Sequence, residues 1–391
     1  MKRVIIQGAT GSVGQSVLTV IRRHPEEFSV VGLIARQGGE KLAALSREFP
    51  RAAVAFHEAN DNVEFRRLLG PDEAAGRKIL IGADAGLRLT DDVIADVCVA
   101  AVSGTAGLDM AFAAARRGLR ILLADKEVLV SAGRLFKEAA QEGNAEILPL
   151  DSEHSALFQC LEGRDKKTIS KLILTASGGP FRKWTPEQIA KATPEDALRH
   201  PVWAMGAKIT VDSASMANKA LEVIEAHHLF DIPFENIDIV IHPGSIVHGL
   251  VEFTDGSVLA QMGEADMSYP ASYALFYPNR EKTCPKRLDL AKIGQLNFEA
   301  ADYTRFPMLR LGIEAGKRGE IASAVFNAAN EKAVDLFLNN EISFGDIPKA
   351  VETALTLVDA DAFVSTKDVK ATHNVAAHIV QRWADNDLPA Y

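Results

Sequence analysis

RVIIQGATGSVG, residues 3–14, decides the fold. Val4, Ile5 and Ile6 make a short apolar run, dense enough for a strand buried on both faces. Gly8, Gly11 and Gly14 follow it in a G-x-x-G-x-x-G pattern. From Ser12 to Arg23, Val13, Val17, Leu18 and Ile21 recur at helical spacing. Strand, glycine turn and helix in this order suit a dinucleotide. Glycine lets the backbone approach a pyrophosphate, and the helix N-terminus offers free N–H groups and partial positive charge. Thr10, Gly11, Ser12 and Val13 face the phosphates on this reading.

Working outward, FSVVGLIA (28–35), VCVAAVSG (97–104), LRILLAD (119–125) and AEILPLD (145–151) are further apolar strands, with helices between them. That alternation predicts a parallel sheet covered on both faces, a Rossmann-like doubly wound α/β domain over 1–150. At the end of the second strand an NAD enzyme places an acid for the ribose hydroxyls. This chain has Arg36, Gln37 and Gly38 there, with no acid before Glu40. Arg36 can pair with a 2′-phosphate, which favours NADPH over NADH; a solvated loop arginine is the plain alternative.

Beyond 150 the pattern changes. KLILTASGG (171–179), IDIVIHPGS (237–245), VHGLVEFTD (247–255) and SVLAQMGE (257–264) read as strands, with TDG as a hairpin turn and a helix over 213–229. This predicts an α/β catalytic domain over 151–276. The proline-punctuated stretch 277–303 reads as a linker. A C-terminal helical bundle over 304–391 has helices at 321–338, 347–358 and 371–384.

The chain's 391 residues exceed one ordinary core. A net charge of −9 argues against a broad basic face for nucleic acid or anionic lipid. Cys98, Cys160 and Cys284 are scattered and form no metal-type pair or disulfide framework, as suits a reducing cytoplasm. No stretch reaches the roughly 18 apolar residues of a membrane span.

Three segments carry polar residues that invite chemistry. In DSEH (151–154), Asp151 and Glu153 point the same way if extended, and two such carboxylates attract Mg²⁺ or Mn²⁺; a helix N-cap before SALFQ is the equal alternative. In NKALEVIEA (218–226), Asn218, Lys219 and Glu222 share a helix face, either as a site or as a surface ion pair. TASGGPF (175–181) is an anion nest with Ser177 as donor, and Ser213 lies just ahead of the Asn218 helix. His200, Trp203 and Met205, between Pro201 and Gly206, read as a lid that excludes water, unless Trp203 belongs to a core.

GATGSVG, LLADKEVLV, LPLDSEHSALFQ, TASGGPFR, RHPVWAMGAKITVDSASMANKALEVIEA, HPGSIVHGLVEF and FNAANE occur in this order. Together they resemble the 1-deoxy-D-xylulose 5-phosphate reductoisomerase family over nearly the whole chain. The resemblance implies NADPH-dependent rearrangement and reduction of that sugar phosphate to 2-C-methyl-D-erythritol 4-phosphate in non-mevalonate isoprenoid synthesis. It also implies Mg²⁺ or Mn²⁺ and a homodimer. It assigns Asp151, Glu153 and Glu222 to the metal and Lys126 to the substrate beside it. Ser152, Ser177, His200, Ser213, Asn218 and Lys219 fall at substrate contacts, and Trp203 and Met205 in the lid. Asp125, Glu127 and Gly206 join Thr10–Val13 and Arg36–Gly38 at the cofactor.

The chain departs from the family's pattern at Asp125 (usually Asn), Gly244 (usually Gln), Ala220 (usually Gly), Ala176 (a glycine in some relatives) and Ala204 (usually polar). The rival readings are a catalytically degenerate NADPH-binding regulator and a semialdehyde dehydrogenase. The latter needs a nucleophilic cysteine, for which only Cys160 is near a candidate site.

Overall fold

The computed structural model describes residues 1–203, 205–282, 286–358 and 362–387; Ala204 and Cys284 lie outside them. Contacts divide the chain into two compact units. The first takes Met1–Val128, Phe136–Ser152 and a stretch beginning at Asp266; the second takes Leu129–Leu135, Glu153–Ala265 and the chain beyond the first unit's last stretch.

In the first unit seven parallel strands form one sheet: β1 (Lys2–Gln7), β2 (Phe28–Ala35), β3 (Ala53–Phe56), β4 (Ile79–Ile81), β5 (Val97–Ala100), β6 (Arg120–Leu123) and β7 (Ile147–Pro149). Their order is β4-β3-β2-β1-β5-β6-β7. Val4, Ile5 and Ile6 are fully buried, as a central strand covered on both faces requires. The chain winds outward from β1 in one direction, then returns to its other side with β5. A crevice opens at such a reversal, beyond the carboxyl ends of the strands, and the glycine turn stands there. β3 and β4 are absent from the strands expected above. β3 is half alanine (AVAF), and the ILI of β4 is bounded by Lys78 and Gly82, so neither stands out as a longer apolar run.

The second unit holds a five-stranded sheet, β11-β10-β8-β9-β12, from β8 (Ile169–Ala176), β9 (Ile237–Ile241), β10 (Val247–Phe253), β11 (Val258–Met262) and β12 (Glu299–Ala300). β8 and β9 run parallel, while β10 is antiparallel to β8 and to β11, joined through the TDG turn. The helix expected over 213–229 is two helices, Ala207–Ser215 and Ala217–Phe230, broken at Met216, whose φ of 65° is left-handed. Ser215 Oγ accepts from the Ala217 N–H across the break. Helices Pro307–Arg318, Glu320–Leu338, Ile347–Leu357 and Thr366–Ala384 follow. One apolar core joins Leu172 and Leu174 of the sheet to Leu221, Phe326, Phe337 and Val351 of the helices. Each such buried side chain contributes about 1.5–3 kcal/mol over its exposed state.

Candidate active site

The glycine turn is built by contact. Gly8 has φ of 78°, and a Cβ there would lie 2.1 Å from the Ala101 carbonyl oxygen. A Cβ on Gly14 would lie 2.4 Å from the Gly8 oxygen. The Ser12–Arg23 helix starts from Gly11 with no side-chain cap and no acid in its first turn, so its field toward an anion is undiminished. Thr10 and Val13 are half-buried, and Gly11 and Ser12 exposed. Gly8→Ala is expected to weaken dinucleotide binding by at least about tenfold, the equivalent of 1.4 kcal/mol. A fluorescence titration giving an affinity within threefold of the parent would contradict this account of the turn.

Arg36 follows β2 with its side chain 84% exposed, and its Nε donates to Glu58 Oε1 at 2.8 Å. Gln37 donates to the other Glu58 oxygen at 3.1 Å, and Gly38 N–H to Asp61 at 3.0 Å. The arginine is thus braced by an acid from the loop after β3, a partner the sequence reading missed. Asp125 is buried at the start of the Lys126–Gly143 helix, and Glu127 stands in its first turn. A Cβ on Gly107 would lie 2.4 Å from Asp125 Oδ2, so the carboxylate packs directly on that glycine. Lys126, also buried, meets Asp151 Oδ2 at 2.6 Å.

DSEH is not extended: the Ser152–Leu161 helix begins inside it, which puts Glu153 in the first turn. In the second unit Lys219 Nζ contacts Glu153 Oε1 at 2.9 Å and donates to Glu222 as well, and the Asn218 amide donates to the second Glu222 oxygen. Lys219 is 4% and Glu222 1% exposed, so this is no surface ion pair. Burial works against the ammonium, but Glu153 and Glu222 outweigh it and hold the lysine above its ordinary pKa. Oxygen-only donors gathered around positive charge, with the buried Glu222 needing such a partner, fit a hard divalent cation.

Behind this cluster lies a pair that the sequence reading overlooked. His154 and Glu225 are both fully buried, with Nδ1 3.3 Å from Glu225 Oε2. The other ring nitrogen stands 2.9 Å from the Glu222 backbone carbonyl, which can only accept, so Nε2 carries a proton. His154 therefore ties the helix bearing Glu153 to the helix bearing Glu222.

The anion nest forms where β8 ends. His200 Nδ1 accepts from the N–H groups of Val202 and Trp203 at 3.2 and 2.8 Å, so the ring proton sits on Nε2. Nε2 donates to Ser177 Oγ at 3.1 Å, and Gly179 N–H donates to the same oxygen at 3.2 Å. With both donors arriving at Oγ, the Ser177 hydroxyl proton can be given to an anion. Burial holds the His200 pKa below its ordinary value, which keeps the imidazole neutral near pH 7. Gly179 lies tight on the Ala207–Ser215 helix: a Cβ there would be 2.7 Å from the Ser213 oxygen. Ser213, Asn218, Trp203 and Met205 are half-buried, and Gly206 caps the helix N-terminus. Asp212, beside Ser213, meets Lys208 at 2.8 Å and Asn330 at 2.8 Å. Asn330 belongs to FNAANE, a motif whose residues carried no role in the sequence reading.

The chain is similar to known proteins over nearly its whole length. Residues 4–133 match the family described as 1-deoxy-D-xylulose 5-phosphate reductoisomerase, and residues 147–230 and 262–381 match its two C-terminal domain descriptions. The enzyme of that name from Bordetella avium is 48% identical over 362 residues, 90% of each chain. The one from Paraburkholderia xenovorans is 46% identical over 393 residues, covering 98% of this chain and 97% of its own. A structure of the Zymomonas mobilis enzyme in complex with NADPH superposes with a TM-score of 0.91 at 40% identity, covering 98% of this chain and 99% of that one. A crystal structure of DOX-P reductoisomerase with NADPH, fosmidomycin and magnesium gives 0.91 at 38% identity, covering 98% of both chains. With all three family descriptions matched in order and relatives this similar along nearly the full length, the chain belongs to the 1-deoxy-D-xylulose 5-phosphate reductoisomerase family.

Proposed function

We propose that this chain converts 1-deoxy-D-xylulose 5-phosphate to 2-C-methyl-D-erythritol 4-phosphate, using NADPH and Mg²⁺ or Mn²⁺. The observation that carries the reading is the Glu153–Lys219–Glu222–Asn218 cluster around the buried Lys219 and Glu222, held in the same unit as the Ser177–His200 nest. The first group suits a cation on vicinal oxygens, the second a phosphate. Asp151, Glu153 and Glu222 would hold the metal. When bound, the cation supplies Lewis-acid polarisation of the ketose oxygens and NADPH supplies the hydride.

The chain's own residues do the rest. Ser177, His200, Ser213, Asn218 and Lys219 hold the phosphate, and Ser152 the substrate backbone. Phosphate binding energy draws Trp203 and Met205 over the ligand, excludes water and fixes the reacting carbons. The Lys126 ammonium stabilises negative charge developing on a substrate oxygen. The glycine turn, Arg36, Gln37 and Gly38 hold the cofactor's phosphates, with Asp125, Glu127 and Gly206 as further contacts. Residues 1–150 thus serve the cofactor, 151–276 the chemistry and 304–391 its support, with 277–303 between them. The chain works as a homodimer in the cytoplasm. No helix among the described residues is long and apolar enough to cross a membrane.

The cysteine-nucleophile alternative is disfavoured because burial raises the Cys160 pKa, whereas a reactive thiol needs it lowered. Cys160→Ser is expected to keep kcat within twofold, and a loss beyond a hundredfold would revive that alternative. Proton NMR of the product tests the main reading. A methyl group on a carbinol carbon of a branched tetritol phosphate is expected; an unrearranged methyl ketone, or a linear polyol from simple reduction, would overturn it.

A further inference from the structure

We infer that Asn330 is a positioning residue for substrate phosphate, acting through the buried Asp212 to set the Ala207–Ser215 helix; this rests on the reading of Ser177 and Ser213 as phosphate contacts. Asp212 is 1% and Asn330 fully buried. A carboxylate so deeply placed must be satisfied from both sides. Lys208, one turn earlier on the same helix, reaches Oδ2, and the Asn330 amide reaches Oδ1 from the Glu320–Leu338 helix. A carboxylate only accepts, so the Asn330 amide must present its NH₂, and that fixes its orientation. Lys208 moves with the helix and cannot anchor it. Asn330 comes from another element and can.

The anchor lies one residue from Ser213, on a helix whose N-cap, Gly206, supplies no side-chain hydrogen bond. That helix also bears on the nest directly, through the close approach of Gly179 to the Ser213 oxygen. If the Asp212–Asn330 contact is lost, the helix is free to shift, and the spacing between the Ser177 and Ser213 hydroxyls shifts with it. The effect falls on phosphate affinity. Asn218, Lys219 and Glu222 lie on the next helix, beyond the left-handed break at Met216.

The test compares the full-length parent with Asn330→Ala and with the reciprocal double variant Asp212→Asn/Asn330→Asp, which rebuilds one amide against one carboxylate. Three quantities are read: KM against kcat for the sugar phosphate, the Kd of inorganic phosphate from its effect on thermal unfolding, and the Kd of NADPH. Asn330→Ala is expected to raise KM and phosphate Kd together by about tenfold, with kcat and NADPH affinity within twofold to threefold; the double variant returns both to within threefold of the parent. An unchanged phosphate Kd in Asn330→Ala, or a double variant that folds and stays weak, overturns the proposal. Should Asn330→Ala fail to fold, the double variant's phosphate Kd decides alone. A parent without turnover would sink the proposed activity, yet the dependence of phosphate affinity on position 330 would still be read directly.

Discussion

Glu222→Gln is expected to lower kcat by at least about a thousandfold while the Kd of NADPH stays within threefold. The carboxamide keeps the shape of the side chain and one acceptor oxygen, but it removes the charge that Lys219 and a divalent cation both require. Losing a preorganised electrostatic group at a reacting centre typically costs 10² to 10³ in rate. On the proposed assignment the lost group would also be a metal ligand, and its removal leaves Glu153 as the carboxylate facing the Lys219 ammonium. The glycine turn belongs to the first unit, so cofactor binding has no reason to follow. Steady-state kinetics, a Mn²⁺ titration and NADPH fluorescence on one protein sample separate the effects. Equal losses in turnover and in NADPH affinity would refute the metal-ligand assignment.

Glu225→Ala should be the most destabilising single substitution near the site. It removes one member of a fully buried pair and leaves the His154 Nδ1 side facing a void. Breaking a buried ionic or proton-sharing pair from one side costs about 3–5 kcal/mol. The damage also reaches function, since His154 links the Glu153 helix to the Glu222 carbonyl. Urea unfolding of the full chain should show a lower midpoint than the parent, and Mn²⁺ affinity should fall in the same variant. A midpoint unchanged within error would mean that the pair contributes nothing net. Glu225→Gln keeps a hydrogen-bonding partner for the ring and should lose much less.

The sheet of the first unit was legible because its central strands are continuous apolar runs and because glycines at 8, 11 and 14 punctuate the first crossover. What stayed hidden has physical causes. β3 is half alanine and the apolar run of β4 stops at Lys78 and Gly82, so neither stands out from its surroundings. The break at Met216 is a buried left-handed residue, and no local residue type announces it. The Pro307–Arg318 helix escapes a propensity reading because Gly312 and Gly316 weaken it. They are there because a Cβ on either would come within 2.6 Å of Ala220 or Phe234.

The site was legible where its members are neighbours in sequence. Asn218, Lys219 and Glu222 share one helix face by spacing alone. Spacing cannot say that this face is buried, which is what separates a site from a solvated ion pair. The His154–Glu225 and Asp212–Asn330 partnerships join distant segments, and nothing in either segment names the other. The extended reading of DSEH failed because a helix begins at Ser152.

The most direct test of the whole account follows NADPH absorbance in the near ultraviolet, with purified protein, Mn²⁺ and 1-deoxy-D-xylulose 5-phosphate, against a chelator control. The account predicts consumption that needs substrate and metal together, stops with chelator and resumes when Mn²⁺ is restored. NADPH that binds but is never consumed would contradict it, and would leave the chain a cofactor-binding regulator.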